Sequence, residues 1–248
     1  MAGALQDRVG LVTGASSGIG RAIAAALAVE GATVVAASRR QDRLADLVRE
    51  VGDRGGRIVA HDLDVTDERS CRAAVQRTAD EFGGLDILVN NAGLMLLGQI
   101  DGADPEDWRR MIDTNLLGLM YMTHAALPHL VPRRGTIVQM SSIAGRFARA
   151  GNGAYAATKF GVNAFSESLR QEVAGQGVRI VVVEPGVVDT ELRTHITQQA
   201  ALERIEATAA SMRQLQPQDI ATAVLYAVIQ PDHVSVNELF IRPTDQTW

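Results

Sequence analysis

Thr13-Gly-Ala-Ser-Ser-Gly-Ile-Gly20 follows the apolar run Val9-Gly-Leu-Val-Thr13 and opens a helical pattern, Ile19–Glu30. A strand that ends in a glycine-rich turn and feeds directly into a helix aims backbone N–H groups, and the positive end of the helix dipole, at one spot. Glycine there removes the side chains that would keep a diphosphate from that spot. Glycine triplets are common between strands and helices, so the argument rests on the βαβ context on both sides of this one. The stretch predicts a phosphate turn in which Gly14, Ser16, Ser17, Gly18, Ile19 and Gly20 surround the ligand.

Working outward, the same alternation continues. Thr33–Ala37, Ile58–Asp62, Leu85–Asn90, Thr136–Ser141, Val178–Glu184 and Glu238–Ile241 read as further strands. Arg43–Val51, Glu68–Phe82, Glu106–Leu130, Tyr155–Ala174 and Asp219–Ile229 read as helices. Ile180-Val-Val-Val183 is apolar at consecutive positions, as in a parallel strand covered on both faces. The expectation is an α/β fold: one doubly wound, seven-stranded parallel sheet with helices on both faces, a single domain over 1–248. Its ligand site belongs at the carboxyl ends of the strands, near the topological switch point. Residues 186–216 are too long for an ordinary connection and read as a binding loop or lid, with a solvated insertion as the alternative.

The chain has 248 residues, 46% of them apolar, enough for a sizeable core. A formal net charge of −5 argues against a nucleic-acid or anionic-membrane surface, which needs a concentrated positive field. Cys71 is the only cysteine, so there is no intramolecular disulfide and no Cys-rich zinc site. His61, His124, His129, His195 and His233 form no ligand-spaced cluster, and no metal is expected. The start of the chain lacks a basic segment followed by an apolar core, and no apolar run approaches membrane-spanning length. A cytoplasmic location is expected.

The end of the second strand bears on which dinucleotide is bound. A site selective for NAD places an acid there, against the ribose 2′-OH. This chain has Ser38, Arg39 and Arg40 instead, and a guanidinium can fork onto a 2′-phosphate. NADP(H) is therefore expected, the alternative for the arginines being a solvated helix entry. After the third strand, Asp64 and Val65 are candidates for the adenine end; a helix cap by Asp62 or Asp64 is the structural alternative.

Tyr155 and Lys159, four apart on a helical pattern, share one face. A nearby ammonium favours phenolate and is expected to lower the tyrosine pKa toward working pH, where proton transfer is more effective. Thirteen residues before Tyr155, a strand ends in Ser141-Ser142, and either hydroxyl suits a carbonyl oxygen.

Together with Asn90-Asn-Ala-Gly93, Asp113-Thr-Asn115 and Pro185-Gly-Val-Val-Asp-Thr190, these motifs resemble the short-chain dehydrogenase/reductase family along nearly the whole chain. The TGxxxGxG spacing of residues 13–20 is that family's form of the phosphate turn. The resemblance implies a Rossmann fold, an NADP(H) cofactor and a catalytic set of Asn115, Ser142, Tyr155 and Lys159. It selects Ser142 over Ser141 and assigns Asn115 to a water-mediated relay toward Lys159; a buried asparagine satisfying backbone groups would look the same.

It further implies that Asp64 bonds the adenine amino group, that Asn91, Ala92 and Gly93 border the cofactor, and that Pro185, Gly186, Val188 and Thr190 hold the nicotinamide end with Tyr155 and Lys159. Three segments, Met111–Thr123, Phe160–Glu167 and Glu238–Gln246, resemble an NADPH-dependent aldehyde reductase of the family. The expected activity is reduction of a small to medium ketone or aldehyde, with oxidation of a sugar, steroid or secondary alcohol as the runner-up and a non-catalytic dinucleotide sensor as the rival from another class. Met95, Ile143, Asn152, Leu192 and Ile196 are the expected substrate pocket under a lid over about 187–213. Family members commonly form homotetramers through the two long helices. Leu116, Leu119 and Met120 fit either that burial or the core, and Trp248 either a frayed tail or a subunit contact.

Overall fold

Seven strands, β1 (Val9–Thr13), β2 (Thr33–Ser38), β3 (Arg57–Asp62), β4 (Ile87–Asn90), β5 (Thr136–Met140), β6 (Arg179–Pro185) and β7 (Glu238–Ile241), pair in parallel in the order β3-β2-β1-β4-β5-β6-β7. This computed structural model describes residues 3–247; Trp248 lies outside the described residues. The chain leaves β1 toward β2 and β3, then returns to place β4 on the other side of β1, in register Val12 beside Val89. That reversal is the switch point, where two loops diverge and a crevice opens.

The period-two geometry of a strand explains the apolar runs. Val12, Val34, Ala36, Val89, Val138 and Val181 face one layer, built from α1 (Gly18–Val29), α2 (Gln41–Asp53) and α8 (Pro217–Val228), with Ile23, Leu27, Leu44, Leu47 and Val224 buried against them. Leu11, Val35, Leu88, Ile137 and Ile180 face the other layer, built from α3 (Glu68–Phe82), α5 (Gly118–Leu130) and α6 (Gly153–Val173). Each full burial of a Leu or Ile side chain contributes about 1.5–3 kcal/mol, so both layers are needed to hold the sheet.

Two segments differ from the sequence expectation. The predicted helix over 106–130 is α4 (Pro105–Ile112), a π-helical turn over Asp113–Leu117, and α5. The long excursion after β6 contains a 3-10 turn, Glu191–His195, and the helix α7 (Gln199–Ala210). Its Ile196 and Ala201 pack with Leu96, Leu97, Met111 and Tyr155 in a third, smaller apolar cluster at the carboxyl end of the sheet.

Candidate active site

A cleft of about 1050 Å³ lies at the carboxyl ends of β1, β2, β4, β5 and β6. The phosphate turn forms its floor. Gly14 and Gly18 have φ of +65° and +51°, which L side chains rarely adopt, and a Cβ on Gly18 would lie 3.2 Å from Cγ2 of Thr190. Thr13 ties this turn to the next strand: its Oγ1 accepts the N–H groups of Asn91 (2.9 Å) and Ala92 (3.0 Å), while Asn91 Nδ2 donates to the Thr13 carbonyl at 3.0 Å. Beneath it, the buried Asn90 amide donates to Gln139 Oε1 at 2.9 Å and Thr123 Oγ1 at 3.0 Å, locking β4 to β5 and α5. The glycine cradle, the helix end and the volume of the cleft fit a dinucleotide.

Ser38 Oγ accepts the Arg40 N–H at 3.1 Å and so fixes the chain as it enters α2. The Arg40 guanidinium turns back over the phosphate turn, donating to Ser16 Oγ (3.0 Å) and Ser17 Oγ (2.7 Å) and pairing with Glu191. Arg39 stays largely exposed, 3.9 Å from Asp64. Asp64 Oδ1 accepts from the Thr66 N–H (3.0 Å) and hydroxyl (2.8 Å); burial opposes ionisation, yet these bonds and Arg39 hold the carboxyl below its usual range. The cap of α3 considered for Asp62 or Asp64 is instead made by Asp67.

Tyr155 and Lys159 stand one turn apart on α6, both buried, with Lys159 Nζ 5.8 Å from the centre of the phenol ring. The ammonium donates to the Met140 carbonyl at 2.8 Å. The expected lowering of the tyrosine pKa is not what this arrangement produces. Burial pushes Tyr155 up to about 12, opposed only by a hydrogen bond with Ser142, and burial pulls Lys159 down to about 8. Ser142 Oγ accepts the Ala144 N–H at 3.1 Å, which places it beside Tyr155. Ser141 turns toward α6, its hydroxyl 3.4 Å from the Lys159 carbonyl.

All but three of the predicted site residues line the cleft, Ser38, Val65, Ala92, Gly93, Met95, Ile143, Asn152, Pro185, Gly186, Val188 and Leu192 among them. Gly20 does not. It is buried inside α1, where a Cβ would fall 2.3 Å from Asn91 Nδ2 and 2.5 Å from the Gly14 carbonyl oxygen; its smallness lets the helix close against the turn. Asn115 sits behind the wall on the π-helical turn, its Oδ1 accepting the Leu94 N–H (2.7 Å) and its Nδ2 donating to the Leu94 carbonyl (2.8 Å) and Thr158 Oγ1 (3.2 Å). Ile196 is spent on the small apolar cluster instead of the cavity. Sequence reasoning passed over Arg43 and Glu191, whose side chains pair at 2.6 Å. Arg43 lies three residues after Arg40, in the first turn of the helix that Arg40 precedes, a readable sign. Glu191 lies 148 residues away along the chain and gives none.

Residues 8–201 match the model of the short chain dehydrogenase family. The chain belongs to that family. As a short-chain dehydrogenase it is similar to an uncharacterized oxidoreductase of Staphylococcus saprophyticus, 39% identical over 96% of this chain and 98% of that one. It is equally similar, 39% identical over 98% of this chain, to part of a glycine betaine reductase of Emericella nidulans, of whose length it spans only 19%. Among solved structures, the closed form of a serine dehydrogenase complexed with NADP+ superposes with a TM-score of 0.87, at 37% identity over 97% of this chain and 96% of that one. Among the described residues no group of three or more His, Cys, Asp or Glu is placed to hold a metal, and no helix is long and apolar enough to cross a membrane.

Proposed function

We propose that this short-chain dehydrogenase is an NADPH-dependent carbonyl reductase acting on ketones or aldehydes. The observation that carries the reading is that Ser142, Tyr155 and Lys159 meet on the wall of the same cleft whose floor is the glycine turn. Burial raises the Tyr155 pKa, which favours the phenol, the proton-donating form that carbonyl reduction requires. The nicotinamide cofactor supplies a hydride when bound. Tyr155 Oη gives its proton to the carbonyl oxygen, and Ser142 Oγ orients that oxygen and stabilises its developing charge. Lys159, held through Met140, would hold the nicotinamide ribose, and Asn115 positions the helix bearing both residues through Thr158, whose hydroxyl donates to the Tyr155 carbonyl at 2.7 Å.

Arg40 and Arg39 support the 2′-phosphorylated cofactor, as does the similarity to an NADP+-bound dehydrogenase. The chain acts as one catalytic domain with residues 187–213 as its lid, and Met95, Ile143, Asn152 and Leu192 receive the substrate. Oxidation of an alcohol is a second reading, supported by a serine dehydrogenase and an alcohol dehydrogenase among its structural relatives. A cytoplasmic homotetramer is the assembly we propose, through the outer faces of α4 and α6, where Ile112 and Phe160 are each 45% exposed. The test is a screen of NADPH and NADH consumption over aldehydes, aryl ketones, keto esters and cyclic ketones. Turnover with NADPH at a kcat/KM well above that with NADH is expected; no consumption of either across the panel refutes the reductase.

A further inference from the structure

Glu191 begins the 3-10 turn that starts the covering segment, and its carboxylate reaches across the cleft to the opposite wall. One oxygen pairs with Arg40 Nη1, the other with Arg43 Nη1 at 2.6 Å. The Ser17 hydroxyl accepts from Arg40 Nη2 and hydrogen-bonds Glu191, so the phosphate turn, the start of α2 and the covering segment meet at one carboxylate. Burial opposes its charge, but bonds from Ser17, Arg43 and Arg40 outweigh burial and hold its pKa down to about 2. The anion is therefore permanent at any working pH.

This arrangement matters because each guanidinium nitrogen of Arg40 already has a partner. Its Nε faces Ser16, its Nη2 Ser17 and its Nη1 Glu191, while Arg43 also donates to Glu191 through its Nη1. A 2′-phosphate arriving at these guanidinium groups meets a carboxylate already seated there. It must displace or share with a like charge, and a neutral 2′-hydroxyl faces no such opposition.

We propose that Glu191 is a cofactor-specificity residue, an internal counter-anion on Arg40 and Arg43 that moderates the preference for the 2′-phosphorylated dinucleotide over the unphosphorylated one. Arg43 becomes a second receptor for the phosphate once the carboxylate gives way. The inference rests on the reading of Arg40 as the 2′-phosphate partner.

Equilibrium binding of NADP+ and NAD+, measured by calorimetry on wild type, Glu191→Gln, Glu191→Ala and Arg40→Gln, tests it without turnover. Removing the carboxylate in either Glu191 variant should tighten NADP+ by roughly threefold or more, the scale of one partly exposed ion pair, and leave NAD+ little changed. The gain should shrink as salt is raised, because charges this exposed are screened. Unchanged or weaker NADP+ binding in both variants overturns the proposal, as does an equal change for the two nucleotides, which would mark a simple clasp over the cofactor. Arg40→Gln separates the layers: if it leaves NADP+ affinity intact, the assignment of Arg40 is what failed, and the role of Glu191 falls with it.

Discussion

At the scale of single residues, the chemistry turns on what burial does to two ionisable groups. Tyr155→Phe deletes the phenol proton that faces Ser142, so turnover should fall by about 10²–10⁴-fold, while NADP+ titration shows an affinity close to wild type; retained turnover refutes the role of Tyr155. Lys159 offers a test of the site in the free protein. Its folded pKa, about 8, lies below the ordinary 10.5, so between those values the unfolded chain binds more protons than the folded one. Stability therefore gains from Lys159 as pH rises through that window. Buried Tyr155 and Cys71, both pushed up to about 12, act with the opposite sign at higher pH. The difference between wild type and Lys159→Met isolates the lysine: denaturation midpoints should show wild type gaining on the variant from about pH 8 to 10.5, and parallel pH curves contradict the depressed pKa. The Tyr-Lys spacing was legible in the sequence, but the balance of burial against charge was not, since it depends on the Met140 carbonyl that takes the ammonium and on residues far along the chain.

At the scale of elements, the connection over 105–130 carries the most information. Periodicity reads it as one helix, and the π-helical turn within it is invisible to periodicity because one extra residue in the repeat leaves both flanking stripes apolar. That turn brings Asn115 to Leu94, so the alternative considered for it, a buried amide satisfying backbone groups, describes its side chain. Asn115→Ala strips partners from the partly buried Leu94 N–H and C=O and should destabilise the fold by about 2–6 kcal/mol, at 1–3 kcal/mol for each unsatisfied group. Urea denaturation measures this directly, and a loss under about 0.5 kcal/mol, the usual range of surface changes, shows that the amide does not hold the loop. The helix α7 was missed for a related reason: Gln199–Ala210 lies in a segment whose length alone drew attention, and its weakly amphipathic alanine-rich sequence carries little of the stripe that marks a core-facing helix.

At the scale of the whole molecule, the sheet was readable because each central strand must feed two apolar layers, which turns it into an unbroken apolar run bounded by polar turns. The position of the cleft followed from that topology, since the glycine turn after β1 and the Asn-Asn-Ala-Gly turn after β4 flank the switch point. What the sequence lacked was the closing wall, where Thr190 packs on Gly18 and Glu191 reaches Arg40, contacts made only once the chain has folded back on itself. On the proposed reading, a dinucleotide in this cleft would touch loops from both halves of the sheet together with that wall, so its binding free energy should appear as global stability. At one hundred times its dissociation constant, a ligand that binds only the folded state adds about 2.7 kcal/mol. For a chain of this size that raises Tm by about 5–10 °C, at 2–4 °C per kcal/mol. Gly18→Val places a branched side chain at a φ of +51° and against Thr190, in the turn proposed to receive the diphosphate. Thermal melts with and without NADP+ should therefore show the shift in wild type and almost none in the variant, whatever the variant's own Tm. An equal ligand-induced shift in both proteins places the dinucleotide somewhere other than this turn.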